Sequence, residues 1–224
     1  MTKFTGIITA AGKSSRMTED LENMGLPTTT KLILDFDKGK TIIETTINKV
    51  LNAGVDECII VLGHFKDEII KEILKINDDR IKLVYNDPLK VDLSVSLYNG
   101  LISSKSDYIL AVAGDQSNIS TKTYENLINS FLDRVKDHNK LFTVLRRREI
   151  GRLDSVESLG MPFVTNKNYL IKFIANKNSD LNPILREMFK DGFEFFAVKE
   201  EDELELVNIN KYKDYKSFHL ERHD

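Results

Sequence analysis

The stretch Phe4-Thr5-Gly6-Ile7-Ile8-Thr9-Ala10-Ala11-Gly12-Lys13-Ser14-Ser15-Arg16-Met17 (FTGIITAAGKSSRM) decides how the chain is read. Its first half is apolar and rich in β-branched residues, and short enough to be a buried strand. The strand breaks at Ala11-Gly12, where little or no side chain stands between a ligand and the backbone. Lys13, Ser14, Ser15 and Arg16 follow at once, and Lys31 comes after a further polar segment. A buried strand, a small-residue turn and clustered cations together describe a cradle for a polyphosphate.

Moving outward, strand and helix patterns alternate. Lys31–Asp35 reads as a short strand. Thr41–Ala53 carries Ile43, Ile47, Val50 and Leu51 on one helical face and stops at Gly54. A strand over Glu57–Leu62, closed by Gly63, precedes a helix over Lys66–Ile76. A strand over Ile81–Tyr85 is broken by Asn86-Asp87-Pro88. A helix with Leu93, Leu97 and Leu101 inward leads to a strand over Tyr108–Ala113, cut off at Gly114-Asp115. Ser120 caps a long helix. Leu141–Leu145 is a further strand, but Arg146–Gly160 is polar and irregular. Beyond it the pattern predicts a short extended piece over Met161–Thr165, helices over Tyr169–Ala175 and Asn182–Lys190, strands over Glu194–Val198 and Glu205–Ile209, and a last helix over Tyr212–Phe218.

Alternation of this kind implies right-handed βαβ units and a mainly parallel sheet. Ligands of such sheets bind at the carboxyl ends of the strands. Three polar breaks fall at those ends: Ala11–Arg16, Asn86–Ser96 and Gly114–Gln116. No repeat or linker divides the 224 residues, so the expectation is one domain over 1–224, with 146–190 as an elaboration on the acceptor side.

Composition narrows the function classes. The chain is 41% hydrophobic and 30% charged, with a net charge of −3 and a pI near 5.9. It lacks the basic field of a nucleic-acid binder. One cysteine, Cys58, rules out a disulfide framework. No run is long and apolar enough for a membrane span, and the N-terminus has no secretory pattern, so the expected setting is cytoplasmic, with neither nucleic acid nor membrane as partner.

The opening loop is no P-loop: five residues separate Gly6 from Gly12 where that motif needs four, and Gly6 lies inside the strand. The dinucleotide fingerprint fails too, because Gly12 has no glycine partners nearby. What the residues ITAAGKSSRM resemble is the opening signature of the molybdenum-cofactor cytidylyl- and guanylyltransferase group of nucleotidyltransferases. The resemblance continues through Gly39–Glu44, Ala53–His64, Asn86-Asp87-Pro88, Leu93–Leu101 and Gly114-Asp115-Gln116, covering most of residues 4–135.

The resemblance implies a three-layer, Rossmann-like (GT-A type) α/β fold with a mixed, mainly parallel sheet. It implies an enzyme that transfers NMP from a nucleoside triphosphate to a small phosphate-bearing acceptor, with Mg²⁺ as cofactor and release of pyrophosphate. Ala10, Ala11, Gly12, Lys13 and Ser14 would meet base and phosphates, with Gly63 and Gly114 in the same nucleotide site. Arg16 would face the leaving pyrophosphate and Lys31 the α-phosphate. Asp115 would hold the metal, with Asn208 and Asn210 as further candidate ligands. Asn86, Ser94 and Ser96 would line the nucleotide or acceptor pocket.

Four features depart from the group. Residues 17–30 form a long spacer that could cover the triphosphate as a lid. Ser117-Asn118 follows Gly114-Asp115-Gln116 where the group carries proline. Gly160-Met161-Pro162 stands where Gly-His-Pro is usual, and Asn208 and Asn210 replace the aspartates of the cytidylyl branch. The expectation is CTP over GTP as donor and the molybdenum cofactor as acceptor. A sugar-phosphate or phosphoalcohol acceptor such as phosphocholine is the alternative, and an inactive nucleotide- or cofactor-binding protein a reading of another class. His219 and His223 have helical spacing but no visible third ligand, and His64 reads as an ordinary loop histidine.

Overall fold

A computed structural model describes residues 2–136, 139–207 and 211–216. Asn208, Asn210, His219 and His223 lie outside the described residues.

The opening run forms strand β1 (Phe4–Ala10), buried along almost its whole length. It pairs in parallel with β4 (Glu57–Leu62) on one side and β6 (Tyr108–Ala113) on the other, and β4 pairs in parallel with β5 (Ile81–Tyr85). Residues alternate between the two faces with period two. Ile8, Cys58, Ile60, Leu62, Leu110 and Val112 point into one core, whereas Ile7, Ile59, Val61, Ile109 and Ala111 point into the other. Helices α2 (Ile42–Asn52), α3 (Lys66–Ile73) and α5 (Thr121–Val135) cover the first face; α4 (Leu93–Ser103), α6 (Lys167–Ile174) and α7 (Leu181–Lys190) cover the second. The result is the three-layer α/β arrangement expected.

The sheet has eight strands in the order β5-β4-β1-β6-β9-β7-β10-β8, with β7 (Leu141–Leu145), β8 (Gly151–Arg152), β9 (Phe163–Asn166) and β10 (Glu194–Val198). β9 enters between β6 and β7 and runs antiparallel to both. β8, within the stretch expected to be irregular, closes the edge antiparallel to β10.

Local chemistry explains where helices start. Thr41 caps α2 with a full capping box: its Oγ1 accepts the Glu44 N–H, and the Glu44 carboxylate accepts the Thr41 N–H at 2.8 Å. Ser120 caps α5 by accepting the Thr123 N–H. The hairpin β2 (Asp35–Asp37) to β3 (Lys40–Thr41) turns through Lys38 and Gly39, both at positive φ as a two-residue hairpin turn requires.

Three expectations need correction. Lys31–Asp35 is not a strand: Lys31–Ile33 is a 3-10 turn whose cap, Thr30, accepts the Leu32 N–H. Glu205 also lies in a 3-10 turn, Glu203–Leu206, capped by Asp202. The spacer after Arg16, in which the sequence pattern marks no element, is ordered at its start. Its first part is helix α1 (Ser15–Asn23), with Met17 and Leu21 buried at i,i+4 spacing, and it ends ahead of Gly25 at positive φ. The last expected helix is seen over 212–216, as far as the described residues run.

Candidate active site

The carboxyl ends of β1 and β6 open into a cavity of about 300 Å³ lined by Ala10, Ala11, Gly12, Ser14, Arg16, Lys31, Ser96, Gly114 and Asp115, among others. Most of the residues singled out in sequence therefore meet in one place, drawn from four separate segments.

The opening loop turns at Ser14, which takes a left-handed conformation and passes directly into α1. The carbonyl of Ser14 accepts the N–H groups of Met17 and Thr18 at 2.8 and 2.9 Å, so intrahelical bonding begins at Met17. The preceding N–H groups of a helix's first turn have no intrahelical acceptor, and the helix dipole adds to their pull on an anion. A Cβ built on Gly12 meets nothing within 4 Å, and its φ is not positive. The fold itself thus makes no demand for glycine there; what the missing side chain leaves clear is the cavity. Gly63 and Gly114 are different. A Cβ on Gly63 would stand 2.9 Å from Ala11 Cβ and the Ala11 carbonyl oxygen, and one on Gly114 3.2 Å from the Thr9 carbonyl oxygen. Both let neighbouring backbone close behind the loop.

Ser14 and Thr30 share a hydroxyl hydrogen bond of 3.0 Å, which ties the loop to the turn carrying Lys31. Lys31 Nζ lies 2.5 Å from Asp115 Oδ2, with the lysine side chain 13% exposed and the aspartate 34%. The cation expected at the α-phosphate and the carboxylate expected at the metal are thus each other's partners. Arg16 is exposed on the cavity wall, while Lys13 is exposed and not among the lining residues.

Asn86 is buried and acts from behind the wall. It donates from Nδ2 to Ser96 Oγ at 2.9 Å and accepts from Asn99 Nδ2 at 2.9 Å, holding the Ser96 hydroxyl that does reach the cavity. Ser94 does not reach it. Its hydroxyl donates to the Lys177 carbonyl at 3.0 Å and accepts the Ser179 N–H at 2.9 Å, fastening α4 to the link between α6 and α7. His64 donates its backbone N–H to the Ala11 carbonyl at 3.4 Å, and its Nε2 is buried with no hydrogen-bond partner among the described residues.

A second cavity of about 220 Å³ adjoins the first across Asp115, and Gln116, Asn118, Arg147, Met161 and Glu205 line it. Gln116 clamps the turn after β6: its Oε1 accepts the Ala113 N–H at 2.9 Å, and its Nε2 donates to the Met161 carbonyl at 2.6 Å. Asn118 donates to the carbonyls of Leu204 and Val207, both at 2.8 Å, so it fixes the turn that carries Glu205. Tyr124, wholly buried below, has its hydroxyl pKa pushed well up, first by burial and then by the charges of Glu205 and Asp115. In the sequence Arg147 falls in a stretch that reads as irregular, Gln116 in a motif, and Glu205 at the start of an expected strand, and none of these marks a pocket residue. The one signal for the placement of Glu205 was Asn118, standing where the resembling group carries proline.

These features are those of a nucleotidyltransferase: a small-residue loop leading into a helix N-terminus, a lysine-aspartate pair beside it and an adjoining pocket. The MobA-like NTP transferase domain matches residues 6–151, and the chain belongs to that family. A nucleotidyl transferase from Methanothermobacter thermautotroptrophicus (Mth528) is 35% identical, with both chains covered in full and a TM-score of 0.86. The 4-diphosphocytidyl-2C-methyl-D-erythritol synthase of Anaerococcus prevotii shares the fold, with a TM-score of 0.71 over all of this chain and 99% of its own at 18% identity. The bifunctional protein GlmU of Acetivibrio thermocellus is 23% identical over 91% of this chain. The chain spans about half that protein's length, 48%. No helix among the described residues is long and apolar enough to cross a membrane.

Proposed function

We propose that the chain transfers NMP from a nucleoside triphosphate, CTP in preference to GTP, to a phosphate-bearing acceptor in an Mg²⁺-dependent reaction that releases pyrophosphate in the cytoplasm. The observation that carries this reading is the meeting of Ala10–Gly12, Ser14–Arg16, Lys31 and Asp115 around one cavity. The triphosphate lies along Gly12–Arg16, with Arg16 toward the β- and γ-phosphates and Lys31 toward the α-phosphate. An acceptor phosphate is already ionised, so its oxygen attacks without a general base. Charge spreads over the phosphoryl oxygens in the transition state, and cations fixed in place stabilise it with no reorganisation at the moment of reaction.

The donor set suits Mg²⁺, which prefers one or two carboxylates completed by phosphate oxygens and water. Asp115 presents one part-exposed carboxylate, and no cluster of three ligating side chains occurs among the described residues. Asp115 would hold the ion, and Asn208 and Asn210 remain candidates for it. Bound there, Mg²⁺ neutralises phosphate charge. With Asp115 holding the ion, the Lys31 ammonium beside it would face the α-phosphate. The whole chain works as one domain, with 146–190 on the acceptor side.

The family resemblance points to the molybdenum cofactor as acceptor. A small sugar or alcohol phosphate is a second reading, favoured by the size of the pocket beyond Asp115, about 220 Å³. The product named for the Anaerococcus neighbour is of that small, cytidyl-bearing kind. Pyrophosphate release by the purified chain, measured for four NTPs against the molybdenum cofactor and a panel of small phosphates, tests both. Release with CTP and one acceptor class selects between them; release with none overturns the reading and leaves an inactive binding protein.

A further inference from the structure

The pocket beyond Asp115 is lined by a half-buried cation, Arg147, and a buried anion, Glu205, and no ion pair joins them among the described residues. Glu205 is 5% exposed, and neither carboxylate oxygen has a hydrogen-bond partner among the described residues. Carboxylates in such positions are ordinarily paired or hydrogen-bonded, because burying a bare charge is costly. Across the same pocket Arg147 donates one hydrogen bond, from Nη2 to the Met161 carbonyl at 3.3 Å. No carboxylate pairs with it among the described residues. Its neighbour Arg146 differs, forming a two-pronged ion pair with the buried Glu200. Burial holds the Arg147 guanidinium below its ordinary pKa, the expected sign for a cation desolvated without an anion.

Neither group is misplaced by accident of a loose loop. Asn118 pins the Glu205 turn at two carbonyls, and the Gln116 clamp fixes the Met161 carbonyl to which Arg147 is tied. A guanidinium with spare N–H groups suits a phosphate, which it grips in a planar fork. An acceptor-only carboxylate suits O–H or N–H donors.

Resting on the small-phosphate reading above, we propose that this pocket reads its acceptor at two points. Arg147 takes the anionic phosphate end, and Glu205 takes hydroxyl or amine donors on the carbon part. The substrate class is then a phosphate monoester of a polyol or amino alcohol, not of a plain alkyl alcohol. The acceptor, on arrival, supplies the partner that each group lacks.

Calorimetric titration of the full chain, with and without α,β-methylene-CTP, tests this with glycerol 3-phosphate, phosphoethanolamine and propyl phosphate. In the wild type, one or both donor-bearing esters bind roughly 10- to 100-fold more tightly than propyl phosphate, the range for a hydrogen bond to a charged group. Glu205→Met brings that ratio close to one, and Glu205→Gln, which keeps one acceptor oxygen, lowers it partway. Arg147→Met weakens all three esters together and leaves the ratio alone. Both Glu205 variants melt no lower than the wild type without ligand, since each removes an unpartnered buried charge; a purely structural carboxylate would show a drop instead. The proposal is overturned by equal binding of the three esters, by a ratio that survives Glu205→Met, by unchanged affinities in Arg147→Met, or by no binding of any ester. Intact, discriminating binding without pyrophosphate release would sink the catalytic reading alone.

Discussion

The two ends of the central strands treat buried polar groups in opposite ways. At the amino end, Thr5, Glu57, Ser104 and Ser106 are all buried and all partnered. Thr5 Oγ1 donates toward Glu57 Oε2 at 3.1 Å and lies 3.0 Å from Ser106 Oγ; Ser104 Oγ donates to Thr5 Oγ1 at 2.9 Å. The Lys105 N–H and the Lys82 ammonium complete the shell around Glu57. At the carboxyl end, among the described residues, Glu205 has no hydrogen-bond partner and Arg147 has one carbonyl, while Lys31 and Asp115 hold each other at the mouth of a cavity. A closed network rigidifies a fold; an incomplete one costs stability and persists where a ligand completes it. Changes at the amino end should therefore cost stability and spare chemistry, and changes at the carboxyl end the reverse.

The largest expected effect is at the carboxyl end. Lys31→Ala should cut turnover by ~10²–10³, the usual scale for losing one preorganised charge-stabilising donor. The melting temperature should hardly move, since the ion pair it breaks is open to solvent on the aspartate side. Near-normal pyrophosphate release from this variant would remove Lys31 from the mechanism. Asp115→Ala tests the same pair from the other side: it should abolish the Mg²⁺ dependence of nucleotide binding in a calorimetric titration.

Next in size is a loss of stability at the amino end. Glu57→Ala removes the acceptor shared by Thr5, the Lys105 N–H and Lys82. Buried donors left without an acceptor cost about 1–3 kcal/mol each, so denaturant titration should show a loss of roughly 2–3 kcal/mol. The KM for NTP should stay put, because no residue of this network lines the cavity around Gly12 and Asp115. A large KM change with little loss of stability would break the contrast between the two ends.

Gly12→Ala should fall between the two behaviours. The added methyl group projects into the space kept clear over the loop and should weaken NTP binding by about tenfold, the scale for one misplaced methyl group in a close-fitting site. With no steric conflict within the protein, folding stability should rise by a few tenths to about 1 kcal/mol, through the lower entropy of the unfolded chain. Equal NTP affinity in this variant would mean that no ligand approaches Gly12.

Legibility followed the same division. The central strands and their helices were readable because each carries its own periodic signal, and the capping box at Thr41 and Glu44 is contiguous in sequence. The meeting of Gly12, Arg16 and Asp115 at one cavity was readable because they stand at or just beyond strand ends that a parallel sheet brings together. Helix α1 was missed because only Met17 and Leu21 mark its buried side. The insertion of β9 between β6 and β7 is a long-range pairing that no local pattern encodes. Glu205 was out of reach for a similar reason. A glutamate in an acidic stretch reads as solvated, and only hydrogen bonds from Asn118, eighty-six residues upstream of Leu204, carry its turn against the pocket.

The smallest expected effect is a pH dependence, and it comes from the closed end. Burial pushes the Glu57 carboxyl up, but hydrogen bonds from Lys82, the Lys105 N–H and Thr5 outweigh it and leave the pKa below its ordinary value of 4.5. A carboxyl that holds its proton less tightly when folded stabilises the fold while it is ionised. That contribution is complete above the unfolded-state value and disappears as pH falls through the lower, folded-state one. Glu57→Gln should therefore be less stable than the wild type near neutrality, and the gap should narrow as pH falls below about 4.5. Paired denaturant titrations across that window measure it. A gap that stays constant through the window would mean that Glu57 contributes by shape and neutral hydrogen bonding, and the amino end would then owe nothing to its charge.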